Sequence, residues 1–202
     1  MIILRGLEFL FSLTLVLVLL PFFLSIALAI KLTSKGPIFF LSPRIGLHGT
    51  RFYCFKFRTM SQKEDDILRK FFEKHPNRKN EWKNFHKLQE DPRVYPLGKF
   101  LRKTSLDELP QFFNVIMGTM SIIGPRPLLE RDLAQIPSHL KNKFLSVKPG
   151  ITGLWQVSGR NSLSFSQRVF LESQYIDQKN IKLDIKIFFK TFPAVLSKKG
   201  AF

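Results

Sequence analysis

The stretch LRKTSLDELPQFFNVIMGTMSIIGPRPLL (101–129) places two adjacent carboxylates, Asp107 and Glu108, in a chain that is otherwise basic. The 202 residues include 32 Lys and Arg but only 15 Asp and Glu, which gives a net charge of +17. From Leu106 the apolar residues recur at helical spacing as far as Met117, and Gly118 is suited to end a helix. The pattern predicts one helix that begins at the acidic pair.

Two interpretations of the acidic pair are open. Ser105 and Glu108 have the spacing of a capping box, and acidic residues suit the positive end of a helix dipole. Alternatively, a carboxylate that stays ionised in a first helical turn suits a nucleophile or a metal ligand close to phosphate. Basic residues occur nearby in proline- or glycine-restricted segments, namely Arg102, Arg126 and Arg160. Together these features indicate magnesium-assisted chemistry on a phosphate or diphosphate.

The first thirty residues are almost wholly apolar, and residues 7–30 contain a single charged residue, Glu8. Pro21 predicts a kink near the middle, because proline removes a helical hydrogen bond. Each half is then at most about 18 Å long, too short to cross a ~30 Å hydrocarbon core alone. Basic residues at both ends, Arg5 and Lys31, favour the cytoplasm for both ends. A re-entrant hairpin helix and a kinked span both stay open, and either is a membrane anchor.

Between this anchor and the acidic pair, turn signals alternate with short β-prone runs. GPIFF (36–40) and RFYCFKF (51–57) predict two strands of a hairpin or small sheet, joined by RIGLHG (44–49). Lys56 and Arg58 share one face of the second strand, either as a solvated face or as a grip on phosphate. Residues 61–90 are of mixed charge and predict a peripheral insert of two short amphipathic helices, broken around Pro76.

The C-terminal stretch IKLDIKIFFKTFPAVL (181–196) combines an apolar helical stripe with lysines at four-residue spacing. Such a helix either lies in a membrane interface or packs on a core with solvated lysines. Cys54 is the only cysteine, which excludes an intrachain disulfide and a cysteine-based zinc site. The surplus of positive charge points to an anionic partner: nucleic acid, anionic lipid headgroups or a phosphorylated substrate.

Three motifs in order behind the apolar N-terminus carry a family resemblance: KFRTM (56–60), the 101–129 stretch and KPGITGLWQVSGRN (148–161). They resemble the bacterial sugar transferase family, and the length resembles its small monotopic polyprenyl-phosphate phosphoglycosyl transferases. The resemblance covers residues 7–202, with 61–87 the least matched part. It implies an α+β fold in which residues 1–30 form a re-entrant membrane helix. Residues 31–202 would form a mostly helical cytosolic catalytic domain with a small β-hairpin and interfacial amphipathic helices.

The resemblance also implies a reaction. Members move a sugar-1-phosphate from a nucleotide diphosphate sugar, here expected to be a UDP-sugar, to polyprenyl (undecaprenyl) phosphate, and UMP is released. This would be the first membrane step of bacterial glycoconjugate assembly, on the cytosolic face of the inner membrane. Asp107 matches the nucleophile that forms a covalent phospho-sugar intermediate in a ping-pong reaction. Glu108 matches a residue implicated in binding magnesium (Mg²⁺) and handling protons.

The other site residues are carried over by position. The basic residues expected on the substrate phosphates or in the same cleft are Arg102, Arg126, Arg160, Lys56 and Arg58. Asp184 is expected to reach the metal, and the alternative makes it an intrahelical partner for a lysine. Pro21 marks the membrane break, although this chain has Leu20 where many relatives have serine.

Two other classes of protein are weighed against this one. A membrane-tethered nucleic-acid-binding protein would use the basic charge, but no recognised motif of that class appears, so no nucleic-acid partner is expected. A non-catalytic membrane scaffold of a glycan assembly complex would tolerate the loss of Asp107. Anionic lipids of the inner leaflet are expected partners. A homodimer is left open, as are the sugar and the glycan pathway.

Overall fold

The computed structural model describes residues 2–62, 64–79, 82, 88 and 90–197. Its helices are α1 (Ile2–Val18), α2 (Leu20–Thr33), α3 (Glu64–Lys74), α4 (Pro96–Lys103), α5 (Gln111–Met117), α6 (Glu130–Gln135), α7 (Ser138–Leu145), α8 (Leu154–Ser158), α9 (Phe165–Gln178) and α10 (Ile181–Leu196). Its strands are β1 (Phe39–Ile45), β2 (Arg51–Phe57), β3 (Ser121–Ile123) and β4 (Gly150–Thr152). Short helices around two small sheets are compatible with the predicted α+β class.

Helices α1 and α2 form a bent pair. Within the described residues, no single helix has the length and apolar composition needed to cross a membrane. The two helices meet that requirement only together, and they are bent by 61° relative to one another. The break lies at Leu19, and Pro21 occupies the first turn of α2, where a missing N–H costs little. The predicted kink at Pro21 is confirmed, and the re-entrant course of the pair stays a prediction.

The two charged side chains of α1 attach it to the rest of the chain. Arg5 donates to the carbonyl of Val115, near the end of α5, at 2.5 Å. Glu8 accepts hydrogen bonds from the Ser121 hydroxyl at 2.7 Å and from the Ile122 N–H at 2.9 Å. A charge in an apolar segment is costly unless it is hydrogen-bonded, so these contacts determine where α1 docks. The guanidinium of Arg5 therefore makes its hydrogen bonds within the chain, to the end of α5.

Helix α2 packs through one stripe. Phe23, Ile26 and Ile30 recur three or four residues apart, and they pack against Phe57 of β2 and Leu101 of α4. Several large apolar side chains of the bent pair are exposed to solvent. Leu17, Leu24 and Leu28, for example, are each 61% exposed. Many exposed large apolar side chains on one helix pair are typical of a membrane or protein contact.

Strands β1 and β2 form the predicted antiparallel hairpin, in which Ser42 lies opposite Cys54. The first strand lies later in the chain than GPIFF predicts, and it continues through Pro43. Proline is tolerated there because β1 is an edge strand of a two-stranded sheet. Alternation along β2 places Cys54 and Lys56 on one face. The second sheet is a parallel pair, β3 and β4.

Helix α10 confirms the predicted C-terminal helix and shows both of its expected properties. Ile187 is buried on the core side, and Thr191 bonds to Thr152 of β4 at 2.8 Å. The opposite side exposes large apolar residues, namely Ile181, Ile185, Phe189, Phe192 and Leu196. The helix therefore packs on the core through one face and leaves an apolar face free for another surface.

The first helix predicted in the 61–90 insert is confirmed as α3, which ends two residues before Pro76. The ring of His75 packs against Phe71, with 4.8 Å between the ring centroids. Most of the second predicted helix, including His86, lies outside the described residues. None of the described residues of this segment lines the cleft described below.

Candidate active site

The acidic pair does not begin a helix. Asp107 and Glu108 lie in a separate 3₁₀ turn, and α5 starts only after Pro110. Ser105 has φ of 57°, in the left-handed region, and its side chain makes no capping hydrogen bond. The predictions of a capping box and of one continuous helix from Leu106 were therefore wrong, because this left-handed residue and Pro110 separate the turn from α5. A left-handed residue other than glycine costs about 1–2 kcal/mol, and such residues cluster at functional sites.

Glu108 is the anionic centre of a cluster of basic groups. Its Oε1 accepts a hydrogen bond from Lys56 Nζ at 2.6 Å and from Arg126 Nη2 at 3.3 Å. Lys56 projects from β2, and Arg126 from the proline-flanked loop after β3. Burial alone would raise the pKa of Glu108, but the two cations outweigh it and hold the pKa well below its usual range. Glu108 is therefore a permanent carboxylate that keeps both cations in place.

Asp107 contrasts with its neighbour. Its side chain is buried, and among the described residues no hydrogen bond reaches its carboxylate. Burial, together with the charge of Glu108, raises the pKa of Asp107 to about 6, against the opposing charges of Lys56, Arg102 and Arg126. Asp107 is thus mostly ionised at neutral pH without any direct partner. A desolvated carboxylate without a partner is a stronger nucleophile than a hydrogen-bonded one.

The backbone of Arg126 is fixed by residues that the sequence patterns did not single out. Its N–H donates to the buried carboxylate of Glu172 on α9 at 2.9 Å. Arg168 pairs with the other oxygen of Glu172 at 3.3 Å. The guanidinium groups of Arg126 and Arg168 lie over the ring of Trp155, at 5.7 and 5.2 Å from its centroid. The only signal in the sequence is the four-residue spacing between Arg168 and Glu172.

Arg102 and Arg160 approach the acidic turn from two other directions. Arg102 Nε donates to the Thr59 hydroxyl at 2.9 Å, just beyond β2. Arg160 has φ of 51°, and its Nη1 lies 3.4 Å from the hydroxyl of Ser105, so two left-handed residues meet beside the pair. Burial lowers the pKa of Arg160, and the charge of Glu108 opposes that effect. The structure therefore brings Arg102, Arg126, Arg160 and Lys56 to one place.

Arg58 lies outside this cluster. Strand β2 ends at Phe57, so the alternation that grouped Arg58 with Lys56 no longer applies. The guanidinium turns to the segment after α2, where it donates to the Pro37 carbonyl at 2.6 Å and to the Ser34 carbonyl at 2.9 Å. Arg58 holds the end of α2 in place, and the structure does not join it to the phosphate cleft.

Asp184 also lies apart from the acidic pair. It accepts a hydrogen bond from the hydroxyl of Tyr175 on α9 at 2.8 Å, and burial raises its pKa. Within the described part of the chain no hydrogen bond or ion pair joins it to Glu108. Among the described residues no lysine forms an ion pair with Asp184, and its contact with a metal stays a prediction. Pro21, next to the break between α1 and α2, is likewise no part of the cluster.

The donor set limits how a metal could bind. Among the described residues, no group of three or more His, Cys, Asp and Glu side chains could hold a metal ion. Among the described residues, the acidic turn supplies two adjacent carboxylates, Asp107 and Glu108. Mg²⁺ commonly binds through one or two carboxylates together with substrate phosphates and water, so this pair fits magnesium that arrives with a diphosphate.

A small cleft opens beside the pair. The residues that line it are Arg44, Cys54, Lys56, Glu108, Gln111, Arg126 and Pro127. Cys54 is buried, and burial raises the pKa of its thiol, so it contributes an apolar wall. The cleft therefore presents fixed positive charge around Glu108, whose neighbour in the acidic turn is Asp107, an arrangement that can hold an anion close to a nucleophile.

Comparison with known proteins shows the family to which the chain is similar. The model of the family described as bacterial sugar transferase matches residues 1–198. The exopolysaccharide production protein ExoY of Sinorhizobium fredii is 42% identical over 198 residues, which cover 98% of this chain and 87% of that protein.

Two longer relatives carry more specific names. The undecaprenyl-phosphate galactose phosphotransferase of Salmonella typhimurium is 43% identical over 167 residues, 83% of this chain and 35% of the relative. The UDP-glucose:undecaprenyl-phosphate glucose-1-phosphate transferase of Klebsiella pneumoniae is 38% identical over 205 residues, 97% of this chain and 41% of the relative. This chain therefore corresponds to well under half of each of these two proteins.

Proposed function

The chain belongs to the bacterial sugar transferase family and is a sugar phosphotransferase, and we propose that it moves a sugar-1-phosphate from a UDP-sugar to undecaprenyl phosphate. The observation that carries the proposal is the environment of Asp107: a buried carboxylate that has no hydrogen-bond partner among the described residues and lies beside a cation-bound Glu108. The names of the Salmonella and Klebsiella relatives support the acceptor, and the Klebsiella name supports the donor class.

The first task of the site is to hold an anionic diphosphate against an anionic nucleophile. Lys56 and Arg126 already lie at the rim of the cleft, and Arg102 and Arg160 flank the turn that carries the pair. Their positive charge offsets the repulsion between substrate and carboxylate. Arginine suits this task because its planar donors can bind two phosphate oxygens at once.

The first half-reaction is a displacement at phosphorus. A carboxylate oxygen of Asp107 attacks the β-phosphorus of the UDP-sugar and forms a new P–O bond. The bond between the β-phosphorus and the bridging oxygen breaks, and UMP leaves with that oxygen and its electron pair. The sugar phosphate is now an acyl phosphate on Asp107, and no proton transfer is needed.

The second half-reaction regenerates the enzyme. A phosphate oxygen of undecaprenyl phosphate attacks the same phosphorus, and the bond to Asp107 breaks. The product is undecaprenyl-diphospho-sugar, and the carboxylate is free again. Because the soluble donor leaves before the lipid acceptor binds, one cleft can serve both substrates, and ping-pong kinetics follow.

Magnesium fits this site through Asp107 and Glu108, and when bound it would supply charge neutralisation of the diphosphate. The chain's own contribution is positional. Glu108 retains Lys56 and Arg126 by direct contact, and Glu172 fixes the backbone at Arg126. Because these contacts lie within the chain itself, they can hold the cations in place through the reaction with little reorganisation.

Membrane attachment completes the proposal. The bent α1–α2 pair would enter the inner leaflet from the cytosolic side and return, and the exposed apolar face of α10 would lie in the interface. The basic surplus would bind anionic headgroups. This arrangement brings the cleft to the membrane surface, where the phosphate of the acceptor lies.

The test is UMP release from a panel of UDP-sugars by the detergent-solubilised protein, with undecaprenyl phosphate and magnesium present. Steady-state release that needs lipid and metal would support the proposal and identify the sugar. Absence of release from every donor would contradict it and favour a non-catalytic scaffold. Release that persists in Asp107→Asn would retain the transferase and exclude the aspartyl intermediate.

A further inference from the structure

Arg44 lines the cleft but belongs to none of the motifs that carry the family resemblance. It lies on β1, in register with Phe52 of β2, four residue pairs from the pair formed by Phe40 and Lys56. Paired residues of an antiparallel ladder project to the same side, and alternate residues share that side. Arg44 and Lys56 therefore project from one face of the hairpin into the same cleft.

The hydrogen bonding of Arg44 is incomplete. Its Nη1 donates to the Pro127 carbonyl at 3.3 Å, a long contact. Its Nε is buried, and within the described part of the chain this atom finds no acceptor. No carboxylate among the described residues forms an ion pair with Arg44, whereas Lys56 and Arg126 both reach Glu108. Asp132 and Glu108 are near enough for their charges to act on Arg44, but a buried guanidinium with a free N–H and no direct ion pair among the described residues is costly to maintain.

The surroundings make this cost larger. Burial, followed by the charge of Arg126, lowers the pKa of Arg44 to about 10, so the group stays protonated at neutral pH. Arg44, Lys56 and Arg126 thus crowd three cations around one bound carboxylate, Glu108, at the wall of a single cleft. Charges of like sign that are held together in this way are suited to binding an anion.

We propose that Arg44 is a further phosphate-binding residue of this cleft, which donates through Nε and an Nη to phosphoryl oxygens of the substrate. The inference rests on the proposed function. Both substrates offer the chemistry that Arg44 would bind: the diphosphate of the soluble donor and the monophosphate of the lipid acceptor. Arginine meets the need where lysine does not, because two of its N–H groups point in parallel.

The test compares Arg44→Gln and Arg44→Lys with a matched control on the same hairpin, Arg51→Gln. Arg51 is exposed and pairs only with the exposed Glu130, so its loss should leave activity unchanged. Steady-state kinetics are measured for donor and acceptor separately, and the affinity for UDP is measured by calorimetry. A charged hydrogen bond is worth about 1.5–3 kcal/mol, so Arg44→Gln should raise a KM by about 10–100-fold.

The separate kinetic measurements for donor and acceptor identify which of the two phosphates Arg44 binds. A raised KM for the UDP-sugar with weaker UDP binding assigns Arg44 to the donor diphosphate, and a raised KM for undecaprenyl phosphate alone assigns it to the acceptor. Arg44→Lys should recover only part of the affinity. Unfolding temperatures of the Arg44→Gln variant should match or exceed the wild type, because an uncompensated buried charge is removed, so a loss of affinity cannot be a folding defect.

Two outcomes separate the inference from the proposed function. If the wild type turns over and Arg44→Gln changes neither KM nor UDP affinity, the inference is overturned and the transferase stands. If the wild type turns over no donor, the proposed function fails. In that case UDP binding that Arg44→Gln weakens would still support a phosphate site at Arg44, and unchanged binding would overturn it.

Discussion

Lys56 and Arg58 lie two residues apart, yet they belong to two regions that differ in how completely their charged groups are hydrogen-bonded. Around Arg58 the guanidinium is saturated by acceptors of the segment after α2, at Ser34 and Pro37. In the cleft beside Lys56, Asp107 has no hydrogen bond among the described residues, and Arg44 Nε has no acceptor there. A saturated region stabilises the fold, whereas groups left without partners indicate where a substrate would bind.

The largest effect is expected for Asp107→Asn. Removal of the nucleophile should reduce sugar-phosphate transfer by about 10³-fold or more. Folding should respond in the opposite direction, because the raised pKa of Asp107, about 6, means that its ionised form destabilises the native state. Stability linked to this group is complete below the unfolded pKa of about 3.9 and is lost as the pH rises through 6.

The variant should therefore be more stable than the wild type by about 1–3 kcal/mol at pH 7.5 and equally stable near pH 4. Thermal unfolding at the two pH values checks this, with Asp65→Asn, at an exposed site on α3, as the control. A stability loss at pH 7.5 would show that Asp107 is a structural carboxylate and would remove the contrast between the regions.

Arg58→Leu should have the opposite effect to Asp107→Asn, with a loss of stability and little loss of activity. The carbonyls of Ser34 and Pro37 would lose their donors, which costs about 2–5 kcal/mol of folding stability. Transfer per folded molecule should stay within about fivefold of the wild type, because the cleft is intact. Denaturation midpoints check the predicted loss of stability, and activity normalised to the amount of folded protein checks that transfer is retained. Normal stability with lost activity would place Arg58 in the substrate site after all.

Lys56→Met tests whether the positive charge of Lys56 controls the ionisation of Asp107. Glu108 would keep only Arg126, and the positive charge that lowers the pKa of Asp107 would be lost. Activity at pH 7 should fall by about 10–100-fold, and the acidic limb of the pH profile of kcat/KM should move to higher pH. Lys182→Met on the exposed side of α10 is the control. A limb that stays near pH 6 would show that Lys56 does not control the nucleophile.

Glu172→Gln should give the smallest effect. The amide oxygen can still accept from the Arg126 N–H, but the ion pair with Arg168 is lost. A decrease in kcat/KM of about 2–10-fold is expected, whereas Glu172→Ala, which leaves the N–H without an acceptor, should cost more. Equal activity for both variants would show that Glu172 does not position Arg126.

Turn residues and hydrophobic periodicity in the sequence predicted the helices and strands better than they predicted the tertiary contacts between them. The hairpin, the break at Pro21, the end of α5 at Gly118 and the C-terminal helix all follow from turn residues and periodicity. Alternation along β2 also correctly gave the direction of Lys56. The same rule failed for Arg58, because it assumed that the strand continued past Phe57.

The features that sequence could not give depend on residues far apart in the chain. Ser105 is left-handed because the turn is held in tertiary contact, so the capping-box pattern was misleading. Glu172 fixes Arg126 from 46 residues away, and Arg44 meets the cleft only through the hairpin. Asp184 satisfied a family pattern, but its partner in the fold is Tyr175.

The measurement that tests the central claim most directly is the intact mass of the protein after incubation with its UDP-sugar and magnesium, without lipid acceptor, followed by acid quench. Nucleophilic Asp107 predicts an added mass equal to one sugar phosphate, mapped to the peptide that contains Asp107, and its loss when undecaprenyl phosphate is added. An active enzyme that never acquires this mass, or that acquires it in Asp107→Asn, would contradict the account.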